Sequence, residues 1–358
     1  MTNLIIGLGV VLILIILYLL FRVSSLVGLA RKRDVKTEGR VDSSNKINAG
    51  MFLGFTIVSL VVFFWYSFAY FDDYNLPVAS VHGAWTDTLF WITMGVTVVA
   101  FSIISVVMAV FVYKYQHQEG RKAKFYPDNH YLELAWTIIP AIVLAILIFT
   151  GLRAWNDITS PAAADAEVIE VIGQQFAWTA RYPGNQDNML GKYNYKLIDA
   201  VNEFGLDLTD KNTFDDFKSL ELHIPKDKEV LIKIRAKDVL HSMYIPHFRV
   251  KMDAVPGMPT QFKFVATKTT QEMRDELDNP GFNYEMACAE VCGQAHFSMK
   301  MTVVVEEQED YDRWKQQQEA WLKQNPDYIK KVPAALREAA MIKAGLQEAP
   351  GVVVAAGN

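Results

Sequence analysis

Both cysteines of the chain fall in one short stretch, CAEVCGQAHFSM from Cys288 to Met299, beside a histidine and a methionine. A structural disulfide uses the thiols, and oxidising compartments permit it, but it leaves His296 and Met299 without a purpose. A redox dithiol wants two intervening residues in an α/β setting; here three intervene, in a β setting. Zinc is satisfied by two thiolates and two imidazoles and has no use for a thioether. Mononuclear copper takes one thiolate, two imidazoles and a weak axial thioether, which leaves a cysteine over. A binuclear copper centre uses everything: two bridging thiolates, then one imidazole and one weak donor for each ion. His296 and Met299 supply one of each. The backbone carbonyl of Glu290 can serve as the second weak donor. The second imidazole is expected from another loop, where KDVLHSMYIP offers His241 at the end of a strand. His223, in the run LHIP, reads as a packed or surface residue.

Such donors need a rigid frame, and the pattern from about Ala166 onward supplies one. EVIEVIGQQFAWTARY (Glu167 to Tyr182), SLELHIP (Ser219 to Pro225), EVLIKIRA (Glu229 to Ala236), TQFKFVAT (Thr260 to Thr267) and KMTVVVEE (Lys300 to Glu307) read as strands. Several alternate apolar and polar residues, as half-buried strands do. Short strands without helical patterns between them imply a sandwich or small barrel. Alternation along the first run puts Phe176 and Trp178 on one strand face. Residues 184–218 are polar and turn-rich and read as a long insertion loop. After Glu307 the run EDYDRWKQQQEAWLKQ has helical periodicity, predicting an amphipathic surface helix; a tail, EAPGVVVAAGN, follows.

The first half is of another kind. Hydrophobic residues make up 51% of the 358 and charged residues 21%, with the apolar ones concentrated early. Runs at Leu4 to Phe21, Phe52 to Phe71, Thr88 to Tyr113 and Leu134 to Leu152 can each span a hydrocarbon core of about 30 Å. Pro140 is expected to kink the fourth. The linkers after the first and third runs are basic (RKRDVK, Arg31 to Lys36, and KYQHQEGRKAK, Lys114 to Lys124), whereas the second linker opens DDYN. The positive-inside rule then places both basic linkers in the cytoplasm, and the N-terminus and the β domain outside. The first run follows an uncharged MTN and precedes its basic cluster, the reverse of a signal peptide, so a retained helix is expected. Neither a lipobox cysteine nor an arginine-rich transit segment is present, which points to a bacterial inner membrane and a multi-pass chain in contact with lipid. The net charge of −5 gives no reason to expect a nucleic-acid partner.

With these residues in view, the chain resembles subunit II of the cytochrome c oxidases of the haem–copper family. The motifs are DVLHSMYIPHFRVKMDAVPG (Asp238 to Gly257), CAEVCGQAHFSM, and LELAWTIIPA (Leu132 to Ala141); the likeness runs roughly from Thr88 to Glu307. It implies about four N-terminal transmembrane α-helices followed by an all-β, cupredoxin-like Greek-key barrel and a helical tail. It implies a binuclear CuA centre on His241, Cys288, the Glu290 carbonyl, Cys292, His296 and Met299, and no ligand at His247. The Glu290 carboxylate would reach a magnesium or manganese ion shared with subunit I, and Glu133 would stand at the mouth of a proton pathway. Haems and CuB would belong to subunit I alone. Where the family has a tryptophan that commonly receives the electron, this chain has Phe176, with Trp178 two residues on. That departure leaves room for a membrane-tethered cytochrome domain as donor in place of a soluble cytochrome c. The chain contains no CxxCH haem-attachment motif, so the donor is expected to be a separate haem protein. Acidic residues modestly outnumber basic ones between Pro161 and Glu307, a weak steer toward a basic donor.

The domains expected are an extra transmembrane hairpin (1–75), a second hairpin that packs on subunit I (76–157), the CuA domain (158–307), and a helix with its tail (308–358). The function expected is electron uptake for a bacterial enzyme that reduces oxygen to water and pumps protons, together with the other oxidase subunits. The competing readings are subunit II of a CuA-containing nitric oxide reductase and a membrane-anchored copper carrier.

Overall fold

The structure is a computed structural model that describes residues 2–32, 43–118, 120–184 and 189–347. Most of the RKRDVK cluster, Glu119 of the second basic linker and the EAPGVVVAAGN tail lie outside those residues. The chain forms two units, divided after Phe71, inside one long helix before Met94 and inside another after Thr137.

The first unit is helical. It contains α1 (Thr2–Lys32), α2 (Ser43–Ala69), and parts of the two long helices α4 (Val81–Lys114) and α5 (His130–Thr159); the short α3 (Phe71–Tyr74) follows α2. Among the described residues four helices are long and apolar enough to cross a membrane. They answer to the four apolar runs. Large side chains such as Phe55, Val61, Ile104 and Phe149 stay exposed on them, as expected where lipid rather than water is the solvent. Helix α5 runs unbroken through Pro140. Its first turn is capped by Asn129, whose Oδ1 accepts the Leu132 N–H at 3.1 Å. Glu133 lies in that turn, exposed, where a carboxylate is favoured by the helix dipole.

The second unit is built on strands. They are β1 (Glu167–Gln174), β2 (Ala177–Tyr182), β3 (Phe217–Ser219), β4 (Leu222–Pro225), β5 (Glu229–Ala236), β6 (His241–Ile245), β7 (Val250–Ala254), β8 (Thr260–Val265), β9 (Tyr284–Cys288) and β10 (Lys300–Glu306); α6 (Thr270–Glu276) joins β8 to β9. They form two five-stranded sheets, ordered β3-β2-β1-β5-β8 and β4-β10-β9-β6-β7. The pairs β1–β5 and β10–β4 are parallel and the rest antiparallel. Residues such as Ile169, Ile232, Ile245, Val250 and Val303 fill the space between the sheets. This is the cupredoxin-like β domain that the resemblance implied. It grips the start of α4 and the residue before it: Arg249 makes a paired ion bridge to Asp87, and the Ser80 hydroxyl donates to the Phe248 carbonyl at 2.7 Å.

Three local readings change. The run Glu167 to Tyr182 is not one strand but two, turning at Gln175 and Phe176, so Phe176 sits in the turn and not on the strand face of Trp178. The predicted C-terminal helix breaks into α7 (Gln308–Gln316) and α8 (Trp321–Gln324), followed by α9 (Arg337–Lys343). It breaks because Trp321 turns inward and gives its backbone N–H to the Asp216 carbonyl at 2.7 Å. The insertion is also more than a loop. Its Phe204, Leu206, Leu208 and Phe214 pack with Trp321, Leu322, Val332 and Ala340 against Ile172, making a second core outside the barrel.

Beneath this cap lies a dry ion network. Arg181 and Arg235 share Glu170, and Arg181 also reaches Asp216 at 2.9 Å; Lys343 from α9 pairs with Asp215 at 3.0 Å. Burial works against the Glu170 carboxylate, yet the two guanidinium groups prevail and hold its carboxyl below the usual range. At Asp216 burial prevails: with Asp215 and Glu170 beside it, its carboxyl is pushed up to about 7 despite Arg181 and the Gly191 N–H. The folded chain therefore holds this proton more tightly than the unfolded chain. The stabilisation is complete below the ordinary aspartate range near 3.8, lost as pH rises toward about 7, and absent above it. Thermal unfolding of the detergent-solubilised chain should show this decline between those limits in the wild type and a flatter profile in Asp216→Asn. Equal profiles would refute the assignment.

Candidate metal centre

The expected ligands converge at one end of the β domain. Cys288 closes β9 and gives its backbone N–H to the Met299 carbonyl at 3.0 Å, so strand pairing clamps the two ends of the loop that holds Cys292 and His296. The next residue, Ala289, bonds to the Ser242 carbonyl on β6 at 2.9 Å, which ties the loop to the strand that His241 opens. Glycine is needed inside the loop. Gly293 has φ +139°, and a Cβ there would lie 2.9 Å from both Gln175 Nε2 and the Phe176 ring.

Within this frame the thiols of Cys288 and Cys292 are buried, unbonded and 3.9 Å apart, far beyond the disulfide bond length of about 2.05 Å. Each has one imidazole nitrogen and one weak donor beside it. His241 Nδ1 lies 3.8 Å from Cys288 Sγ, and the Glu290 carbonyl oxygen 3.2 Å. His296 Nδ1 lies 3.6 Å from Cys292 Sγ, and Met299 Sδ 3.8 Å. His241, Cys288 and Cys292 also form a metal-competent group by side-chain geometry alone. Burial, and then the neighbouring Cys288, push the Cys292 thiol up to about 11, so without metal this thiol stays protonated at neutral pH. The donor set fits a copper pair: soft sulfur and imidazole suit copper, and two thiols held close without a disulfide leave both sulfurs available as ligands.

Asp238 received no role of its own from sequence reasoning. Its Oδ1 lies 2.9 Å from His241 Nε2, and its other oxygen accepts the Gln175 N–H at 2.7 Å. Burial opposes the charged form, but the Gln175 N–H, the His241 ring and the Val239 N–H outweigh it and hold the carboxyl below the usual range. An ionised carboxylate can only accept, so Nε2 carries the imidazole proton and Nδ1 turns its lone pair toward Cys288. A carboxylate three residues before a candidate histidine ligand was the available signal.

The remaining candidates are dispersed. Trp178 is buried with its ring edge-on to His241, centroids 5.8 Å apart; Gly173 makes room, since a Cβ there would meet Trp178 at 2.8 Å and His241 at 3.1 Å. Phe176 is half-buried over Gly293. The Glu290 side chain is exposed, and Glu133 lies on α5. His223 is buried, stacked on Trp314 and 2.9 Å from Glu306, and His247 packs against Phe282 and Tyr284. Neither joins the cluster.

The family model described as the cytochrome c oxidase subunit II periplasmic domain matches residues 167–307, and that of the subunit II transmembrane domain matches residues 65–154. Alternative cytochrome c oxidase subunit 2 of Bradyrhizobium diazoefficiens is 36% identical over 251 residues, 68% of this chain and 84% of that one. Cytochrome c oxidase subunit 2 of Thermostichus vulcanus is 29% identical over 269 residues, 68% of this chain and 77% of that one. Among solved structures, the periplasmic domain of subunit II of cytochrome oxidase of Bradyrhizobium japonicum aligns with a TM-score of 0.29 and 24% identity, over 44% of this chain and 94% of that one. The chain belongs to the cytochrome c oxidase subunit II family. It is therefore a subunit of a terminal oxidase complex, an oxidoreductase, and works alongside other oxidase subunits. The α1 helix and residues 308–347 lie outside both matched regions.

Asp238→Ala should weaken copper binding about 10- to 100-fold, the usual cost of losing a group that orients a ligand. Competition against a chromogenic copper chelator measures it. An unchanged affinity would mean that the carboxylate does not orient His241.

Proposed function

We propose that this chain carries CuA on His241, Cys288, the Glu290 carbonyl, Cys292, His296 and Met299, and is the electron-accepting subunit of a bacterial enzyme that reduces oxygen to water. The observation that carries the reading is the paired arrangement of six donors, each thiol flanked by one imidazole and one weak donor. A copper pair held by these residues would supply a centre that takes up and releases one electron at a time. The rest is the work of the chain's own residues. The two sheets and the Cys288–Met299 clamp keep the donors in place whichever charge they face. Asp238 fixes the His241 tautomer, and the buried Trp178 ring shields that imidazole from water. Phe176, half-exposed over the ligand loop, is the aromatic that a docking haem protein touches. The donor is a cytochrome c or a membrane-tethered cytochrome domain, and electrons leave for the haem of subunit I, where oxygen chemistry and proton pumping reside.

The exposed Glu290 carboxylate is free to reach a magnesium or manganese ion shared with subunit I while its backbone serves copper. Glu133, in the first turn of α5, is suited to collecting protons for subunit I. The charge of the linkers supports a plasma-membrane protein whose N-terminus and β domain face outward. The domain limits proposed are 1–75, 76–157, 158–307 and 308–358.

Electron paramagnetic resonance of the copper-loaded chain tests the centre. A seven-line hyperfine pattern, from one electron shared by two copper nuclei, is expected; a four-line pattern or silence sinks the assignment. Phe176→Leu should slow oxidation of reduced cytochrome c about tenfold while leaving that spectrum intact, on the scale of aromatic contacts at hot spots. Unslowed turnover would remove Phe176 from the route.

A further inference from the structure

The inward faces of β7, β6 and β9 and the residue just before β10 carry a row of sulfur that extends beyond the ligand cluster. Met252 stands opposite Met243, and Met243 opposite Cys288; Cys288 in turn is bonded through its backbone to Met299. Residues directly opposed on neighbouring strands point to the same face, about 5 Å apart. Burial agrees: Met243 and Met252 lie on the side away from exposed Tyr244, Lys251 and Asp253. Met243, Cys288 and Met299 are buried in one core, and Met252 is half-buried against it. Strand β7 is the edge of its sheet. Four sulfur-bearing side chains thus run in line from a half-exposed edge strand to two of the proposed copper ligands.

Core strand positions favour β-branched or aromatic residues, as the next inward pair, Ile245 and Val250, illustrates. Unbranched thioethers occupy the two places leading to Cys288. Thioethers are neutral, soft donors that select monovalent copper over zinc, magnesium or calcium. A copper ion crossing a dry sheet face needs donors at each stage, and thioethers can take and release it without moving a proton.

We propose that Met252 and Met243 form a Cu(I) acceptor site that takes copper at the β7 edge from a thiol- or thioether-bearing donor and hands it to Cys288 and Met299 as the centre is assembled. The proposal rests on the copper-ligand reading above. Copper stays monovalent throughout. Its bonds to the donor break as bonds to the two thioethers form. Those give way in turn to the Cys288 thiolate, whose thiol proton goes to water. Met286 and Met301 face each other in the next row inward. Both are buried and neither lies on the line from β7, so they serve as controls.

The test uses the full-length chain, purified in detergent without copper and mixed with Cu(I) bicinchoninate, whose colour fades as copper leaves it. The wild type should take up two Cu(I) ions per chain. Met252→Leu and Met243→Leu, which nearly conserve volume, should slow uptake about tenfold or more while reaching the same final copper content and the same oxidised spectrum. Met301→Leu should load at the wild-type rate. Unchanged rates in both row variants overturn the proposal, and so does equal slowing in Met301→Leu. Should Met243→Leu fail to fold, the half-buried Met252→Leu decides alone. Uptake of fewer than two ions by the wild type overturns the ligand reading and the relay together; two ions at unaltered variant rates overturn the relay alone.

Discussion

Two buried thiols 3.9 Å apart that do not bond to each other set the terms for the rest of this molecule. Left to a flexible loop in an oxidising compartment, such a pair would form a disulfide. Here Cys288 ends a strand and Cys292 lies in a loop closed by the Cys288–Met299 backbone bond. The Cα positions are therefore governed by sheet pairing and not by the sulfurs. The same pairing brings His241 to Cys288 through β6 and leaves His296 on the far side of the loop. A donor set that a metal pair can use is the consequence of paired strand ends that cannot relax.

The next layer follows from that one. Histidine has two nitrogens and must offer the right one, so a carboxylate is needed behind it; Asp238 meets that need and is itself held by the Gln175 backbone. Gln175 can reach it because the chain turns between β1 and β2, and the same turn lays Phe176 over Gly293. Beyond the turn, β1, β2 and β5 carry the Glu170, Arg181 and Arg235 network. Uncapped, that cluster would face water, where ion pairs contribute little. The insertion and the C-terminal helices dry it with a second core. Each layer removes freedom from the one inside it.

What could be read from the chain alone was what is local. Five side-chain donors were identifiable because cysteine, histidine and methionine at those spacings suit few other uses, and the Glu290 carbonyl between the cysteines made the sixth. Four spanning helices were legible because apolar runs of that length are too long for a soluble core element and right for a bilayer. The strands bearing alternating valine and isoleucine were visible for the same reason of short-range period. Local pattern misled only where a distant residue intervened. Trp321 is drawn inward by Asp216 and breaks a helix that periodicity continued, and Gln175 is held by Asp238 and breaks a strand that alternation continued.

The sequence by itself therefore determined the kinds of donor, the membrane-spanning segments and the family. All three depend on residue type and on spacing over a few residues, which survive in one dimension. Only the tertiary structure decided that Asp238 backs His241, that Phe176 is half-exposed and Trp178 hidden, and that Met252 and Met243 line up with Cys288. It also decided that an insertion between β2 and β3 and the segment after β10 build one cap. These depend on strand register and on contacts between segments far apart in the chain. A shift of one residue in pairing would turn the sulfur row to the opposite face, and no local pattern specifies which neighbour a strand will meet.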